Sequence, residues 1–210
     1  MLALVLSGGG IKGAYQAGAI QAVFDSGLRP GIVTGISVGA LNAAFLAVHQ
    51  DSDQAGARLS QFWEMEVTEP AKFVKKRPWY DLVYRVLTKR WDGVVDTKPL
   101  AEVVGRVLAP HFPRQGGIQV RVGAVDLYSG ALVYTGPDSP DFTAAVLAST
   151  AEPVSMPLRS IRGCRITTAG SGTLRRSSRL SRSAPRVSCA SSARRRRSRQ
   201  SPSWTVMCST

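Results

Sequence analysis

Two short apolar runs, each stopped by glycine and each followed by a helical pattern, fall within the first fifty residues and constrain the fold more than any other feature. Leu2 to Leu6 is uniformly apolar and ends at Ser7 and the run Gly8-Gly9-Gly10-Ile11-Lys12-Gly13. A short apolar run bounded by turn residues reads as a buried parallel strand. Gly13 to Asp25 then carries Ala14, Ala17, Ile20, Val23 and Phe24 at helical spacing and stops at Ser26-Gly27. Ile32 to Thr34 is a second short strand, and Val38 to His49 a small-residue apolar helix. Strand–helix–strand–helix with tight glycine turns predicts βαβ units and an α/β fold.

Further along, Ala55 to Phe112 is mostly helical in character, with a helix around Leu100 to Leu108. Gly117 to Ala124 alternates like a strand, with Leu132 to Tyr134 as its hairpin partner across Tyr128-Ser129-Gly130. Phe142 to Ser149 reads as another small-residue helix, and Pro153 to Pro157 as a turn or the entry to a further strand.

The second glycine turn, Gly35-Ile36-Ser37-Val38-Gly39, is the sharpest chemical signal. A serine on a strained strand-to-helix bend, with small neighbours, exposes its Oγ for nucleophilic attack, and the following helix aims its positive end at a developing oxyanion. An ordinary glycine turn is the plainer reading, and the correct flanks favour the nucleophile. The first glycine run complements it. Acyl transfer passes through an oxyanion that needs preorganised backbone N–H donors, and a run without side chains lets the backbone come close to a substrate. Gly9 and Gly10 are the candidate donors, within a loop spanning Gly8 to Gly13. Lys12 adds a positive charge there or is a solvated loop lysine.

Gly8, Gly10 and Gly13 also satisfy the G-x-G-x-x-G dinucleotide pattern, which wants an acidic residue at the end of the second strand. Here that strand runs into the serine turn instead, so the nucleotide-binding reading is the weaker alternative. A P-loop fails because Ala14-Tyr15 follows Gly13.

The two half-motifs together resemble the patatin-like phospholipase family of serine acyl hydrolases. Asp96-Thr97-Lys98-Pro99-Leu100 is similar to its segment leading into a mid-domain helix. Ala124-Val125-Asp126-Leu127 with Ser129-Gly130 is similar to its central strand and hairpin. Ala148-Ser149-Thr150-Ala151-Glu152-Pro153 is similar to the turn before its last catalytic strand. The resemblance covers residues 1–157. It implies a three-layer α/β/α fold with a mostly parallel sheet, C-terminally incomplete, a lipid acyl-ester substrate, no metal or cofactor, and a Ser–Asp dyad. His49 and His111, the chain's two histidines, are then helix-end and surface residues.

The dyad aspartate is missing. The family carries it in an Asp-Gly turn, and Thr168-Ala169-Gly170 stands at about the expected place; no acidic residue follows Glu152. Asp92-Gly93 comes too early, and Asp126 fits a structural role. Composition changes at the same point. Of 27 basic residues, 13 are arginines between Arg159 and Thr210, so the remaining 14 balance the 14 acidic residues and the whole net charge of +13 lies after residue 158. Cys164, Cys189 and Cys208 also lie there, and a body without cysteine fits a reducing compartment. Residues 1–158 are therefore expected to form a truncated hydrolase domain, and 159–210, with Arg194 to Arg197, a disordered or frame-shifted basic tail. One synonymous codon choice for residues 168–177, read one base earlier, yields an Asp-Gly-Gly turn. A genuine basic arm for nucleic acid or anionic lipid is the competing account; one tryptophan, Trp204, gives base stacking little support.

The first six residues lack a signal peptide's basic flank, and the longest apolar stretch, Ala40 to Val48, falls short of the ~20 residues that cross a bilayer. A cytoplasmic body, soluble or peripheral to a membrane, is expected. Val74 to Tyr80 could rest on a membrane through its aromatics and Lys75, Lys76 and Arg77; a helix edge with a solvated charged face is the plainer account.

Overall fold

The computed structural model describes residues 2–50, 52–67, 75–88, 93–113, 117–153, 155–161 and 163–168. Asp92, Phe73, Val74, Ala169, Gly170 and the rest of the arginine-rich tail lie outside them.

The elements follow the glycine punctuation. Strand β1 (Leu2–Leu6) leads through a 3-10 turn at Gly10–Lys12 into α1 (Gly13–Asp25), then β2 (Pro30–Ile36) and α2 (Val38–Val48). Next come α3 (Ala55–Phe62), a π-helical turn at Trp63–Val67, β3 (Lys75–Lys76), α4 (Trp79–Leu87), β4 (Val95–Asp96) and α5 (Lys98–Val107). A 3-10 turn at Ala109–His111 precedes β5 (Gln119–Asp126), β6 (Leu132–Thr135), α6 (Phe142–Thr150), β7 (Arg159–Ile161) and β8 (Cys164–Thr167).

The fold is mixed α/β around a parallel centre: β1 pairs β2, and β2 pairs β5, both parallel. The hairpin strand β6 and the pair β8–β7 add antiparallel. β3 and β4 make a separate two-stranded ribbon. The register fixes which strands share an edge of β5. Val122 and Gly123 pair with both β2 and β6, and Val125 pairs with both β6 and β8. One residue cannot pair twice on the same side, so β6 runs along one edge, and β2 and then β8 succeed each other along the opposite one. Ile36 is opposite Gly123 and Thr167 opposite Val125. Ser37, after Ile36, and Thr168, after Thr167, therefore converge on the level of Ala124.

The core centres on α2, all eleven residues of which are buried. A helix apolar on every side is stable only when covered all round. α2 packs on β2, β5, β1, α6, α1 and α3, and its Leu41, Phe45 and Leu46 join Ile20 and Phe24 of α1, Leu59 and Phe62 of α3, Val33 of β2 and Val120 and Val122 of β5 in one cluster. Val5 of β1, by contrast, is exposed. Close approach at two glycines makes this packing possible. A Cβ on Gly39 would meet the Leu6 carbonyl, and one on Gly13 would meet Val38 and the Trp63 ring.

The sheet continues past Leu158, where the sequence placed the end of the domain. Arg159, Ile161 and Cys164 are half-buried and Ile166 and Thr167 buried in β7 and β8, a short two-residue alternation that the surrounding arginines and serines obscure. Among the described residues no helix is long and apolar enough to cross a membrane.

Gly13→Ala should therefore destabilise the fold by about 1–3 kcal/mol through overpacking, measured by urea denaturation. Gly18→Ala, where a Cβ meets nothing within 4 Å, serves as the control and should not destabilise.

Candidate active site

Ser37 is the residue before α2 and holds φ 57°, ψ −125°, alone among the described non-glycine residues in having positive φ. Such a conformation costs of order 1–3 kcal/mol and persists only where its surroundings enforce it. They do so here from several sides. Gly35 and Gly39 flank the bend so closely that a Cβ on Gly35 would strike the Gly39 carbonyl. The Ser37 amide donates to Ser149 Oγ at 2.8 Å, and Ser149, fully buried on α6, donates to the Gly123 carbonyl of β5 at 2.6 Å. The Ser37 carbonyl accepts from the Ala40 amide at 2.9 Å and opens α2. The side chain is left half-buried at the positive end of that helix.

The glycine loop sits against it. A Cβ on Gly8 would lie 3.2 Å from Ser37 Cβ and 3.8 Å from Ser37 Oγ, so the loop backbone borders the serine directly. Gly8, Gly9 and Gly10 are exposed, and Gly10 takes φ 57°. The loop closes on itself where the Lys12 amide donates to the Gly9 carbonyl at 3.1 Å, and Lys12 Cβ packs toward Gly9. Among the described residues no hydrogen bond engages the Gly9 or Gly10 amide.

A buried polar chain ties this loop to α2. Asn42, fully buried, donates from Nδ2 to the Gly13 carbonyl at 3.2 Å and to Gln16 Oε1 at 3.1 Å. Its Oδ1 accepts from Trp63 Nε1 at 2.8 Å. Gln16 Nε2 in turn donates to the Ser7 carbonyl at 2.7 Å. Both ends of the glycine loop, Ser7 and Gly13, are thereby fixed to the helix that follows Ser37. Sequence reading missed Asn42, Gln16, Trp63 and Ser149. Asn42 was detectable as the one polar side chain in the apolar run from Val38 to Val48.

His49 caps the far end of α2, about 18 Å along the helix from Ser37. Its ring packs on Phe45 with centroids 4.5 Å apart. Burial, and then the positive charge of Arg58 and proximity to His111, hold its pKa below the ordinary value. His111 lies in the turn at Ala109–His111. Asp126 is buried at the end of β5, where Oδ1 accepts from the Tyr128 amide at 3.1 Å and Oδ2 from Ser129 Oγ at 2.7 Å; these bonds shape the hairpin turn. Thr168 is buried at the end of β8, its amide donating to the Ala151 carbonyl at 2.9 Å. Ala151 lies just past α6, two residues beyond the Ser149 that holds Ser37, so one helix end grips both converging segments. Among the described residues no cluster of histidine, cysteine or carboxylate side chains could hold a metal ion.

Residues 4–173 match the model of the patatin-like phospholipase family. The chain belongs to that family. Patatin-like phospholipase domain-containing protein 7 of Rattus norvegicus is 33% identical over 85 residues, covering 40% of this chain and 6% of the relative. Triacylglycerol lipase 5 of Saccharomyces cerevisiae is 45% identical over 47 residues, 22% of this chain and 6% of the relative. Triacylglycerol lipase 4 of the same yeast is 41% identical over 51 residues, 24% and 6%. This chain thus spans only 6% of the length of each. The crystal structure of VipD from Legionella pneumophila aligns with TM-score 0.46 and 17% identity over 80% of this chain and 46% of that one. The patatin-like family is one of lipase-like hydrolases, and it supports an ester-hydrolase class for this chain by resemblance.

Asn42→Ala leaves the Trp63 indole N–H without its buried acceptor and should cost about 1–3 kcal/mol, readable by thermal denaturation. His49 gives a pH test. A histidine whose folded pKa is depressed binds protons better when unfolded, so its contribution is intact above the ordinary value of 6.5 and is lost as pH falls below it. The difference in unfolding free energy between the wild type and His49→Asn should shift against the wild type between about pH 7 and 5; a pH-independent difference contradicts this.

Proposed function

We propose that this chain carries the acyl-hydrolase site of its family and acts on carboxylic esters of lipids. Ser37 Oγ attacks the acyl carbonyl carbon, forming the C–O bond of an acyl-enzyme as the alcohol leaves. The Gly9 and Gly10 amides receive the negative charge of the tetrahedral intermediate, helped by the α2 N-terminus, and water then cleaves the acyl-enzyme. The observation that carries the reading is the enforced positive φ of Ser37 beside the open glycine loop. The same juxtaposition disfavours a dinucleotide there, since the second strand ends in the serine bend rather than in an acidic residue.

The reaction needs an acceptor for the Ser37 proton. The family's aspartate is expected at about Thr168, and the strand register, which converges Ser37 and Thr168 on one level, supports that position. With threonine there the proton passes to water, and the chain is impaired. The sheet strands β7 and β8 persist up to this point, which suits a reading frame that fails around it; sequencing the encoding DNA between codons 158 and 168 tests the frame directly.

The surface that meets the lipid is proposed to be α4. Its Asp81 and Arg85 are half-buried and ion-paired at 2.8 Å, with Arg77 3.3 Å from Asp81 on the same side, and the hydrogen bond from Arg85 holds the Asp81 carboxyl below its usual range. Trp79, Tyr80, Val83, Tyr84, Val86 and Leu87 all face outward. A helix that turns its charges inward and its aromatics outward suits a membrane interface, and exposed Lys75 and Lys76 beside it suit anionic headgroups.

A fluorophosphonate probe should label the wild type at Ser37 and leave Ser37→Ala unlabelled; labelling that survives Ser37→Ala ends the proposal. Thr168→Asp should raise hydrolysis of a short-chain nitrophenyl ester by about 10²-fold or more, the usual contribution of a positioned general base. In vesicle flotation, Trp79→Ala with Leu87→Ala should weaken partition at least about tenfold at unchanged net charge, and unchanged partition removes α4 from the membrane reading.

A further inference from the structure

The hydroxyl of Ser149 makes two short bonds deep in the protein. It donates to the Gly123 carbonyl at 2.6 Å and accepts from the Ser37 amide at 2.8 Å, with no solvent exposure. A serine hydroxyl has a single proton. A backbone carbonyl only accepts and a backbone N–H only donates, so the one proton goes to Gly123 and a lone pair takes the Ser37 amide. Both directions are fixed by the partners and cannot reverse. The contact orients the peptide plane between Ile36 and Ser37, the plane whose rotation would release the positive φ of Ser37. It also engages the Ser37 N–H, so that amide is not available to an oxyanion, and the charge falls to the glycine loop and the α2 N-terminus.

The same helix end reaches further. The Ala151 carbonyl accepts from Thr167 Oγ at 2.7 Å and from the Thr168 amide at 2.9 Å. Two residues apart, Ser149 and Ala151 hold the ends of β2 and β8, the two strands that meet head to head along one edge of β5. From this geometry we infer that Ser149 is a positioning residue: through its hydroxyl, the last turn of α6 sets the direction of Ser37 Oγ and registers it against the end of β8. The inference rests on the acyl-hydrolase reading of Ser37, and it gives a catalytic consequence to a residue that touches no substrate.

Two measurements test it. In wild-type protein the Ser37 amide should exchange with solvent as slowly as the β5 core amides Val120 and Val122, although Ser37 sits at a half-exposed bend; exchange at the rate of an open turn overturns the clamp, whatever the enzyme's activity. In Ser149→Ala that amide should exchange at least tenfold faster, and fluorophosphonate labelling of Ser37 should slow at least tenfold under folded conditions. Val146→Ala, a cavity in the same helix at a fully buried site, controls for lost stability and should change neither rate comparably. Ser149→Thr, which keeps the hydroxyl, should restore both toward wild type. If Ser149→Ala and Val146→Ala exchange and label alike, Ser149 is merely a packing residue. A wild type that resists the probe counts against the hydrolase reading, while the exchange rates still decide the clamp.

Discussion

Everything near the site depends on how closely α2 lies on β1. The approach is set at Gly39, whose missing side chain leaves room for the Leu6 carbonyl. Because α2 is buried along its whole length, it cannot shift outward to relieve a poor fit, and the bend that enters it must absorb the geometry. The left-handed backbone at Ser37 is the result. The glycine loop between β1 and α1 then has one place to go, along the near side of that bend, and the contact of Gly13 with Val38 and Trp63 holds it there.

Polar groups do the fine positioning inside this apolar frame. Buried hydrogen-bonding side chains are costly unless each is satisfied, and satisfied ones specify a single arrangement. Asn42 uses both ends of its amide to join α2, α1, the glycine loop and the turn at Trp63. Ser149 joins α6, β2 and β5. Between them they fix the glycine loop and the bend at Ser37.

Much of this was legible in the residues themselves. α1 runs over Gly13–Asp25 as the helical spacing predicts, and α2, the β5–β6 hairpin and α6 fall within a residue or two of expectation, because glycine and polar turns mark their ends. The two glycine turns also announced that they belong together. The short strands β7 and β8 were not legible: Arg159 and Arg165 break up their few apolar positions, and pairing with β5 and with each other, a non-local fact, gives them their structure. Ser149 was equally hidden, since a serine near the end of an alanine-rich helix has the same appearance whether it faces solvent or a strained amide 112 residues away. His49 and Asp126 behave as the sequence suggested, packed at a helix end and folded into a hairpin turn.

An alcohol neither gains nor loses a proton across the range in which proteins stay folded. A bend held by Ser149 and by backbone carbonyls is therefore indifferent to acidity and screened from salt by its burial. Had a carboxylate or an imidazole served instead, the direction of Ser37 would drift with pH. As built, the orientation of Ser37 is constant, and any response of the chain to its medium must enter through the groups around it.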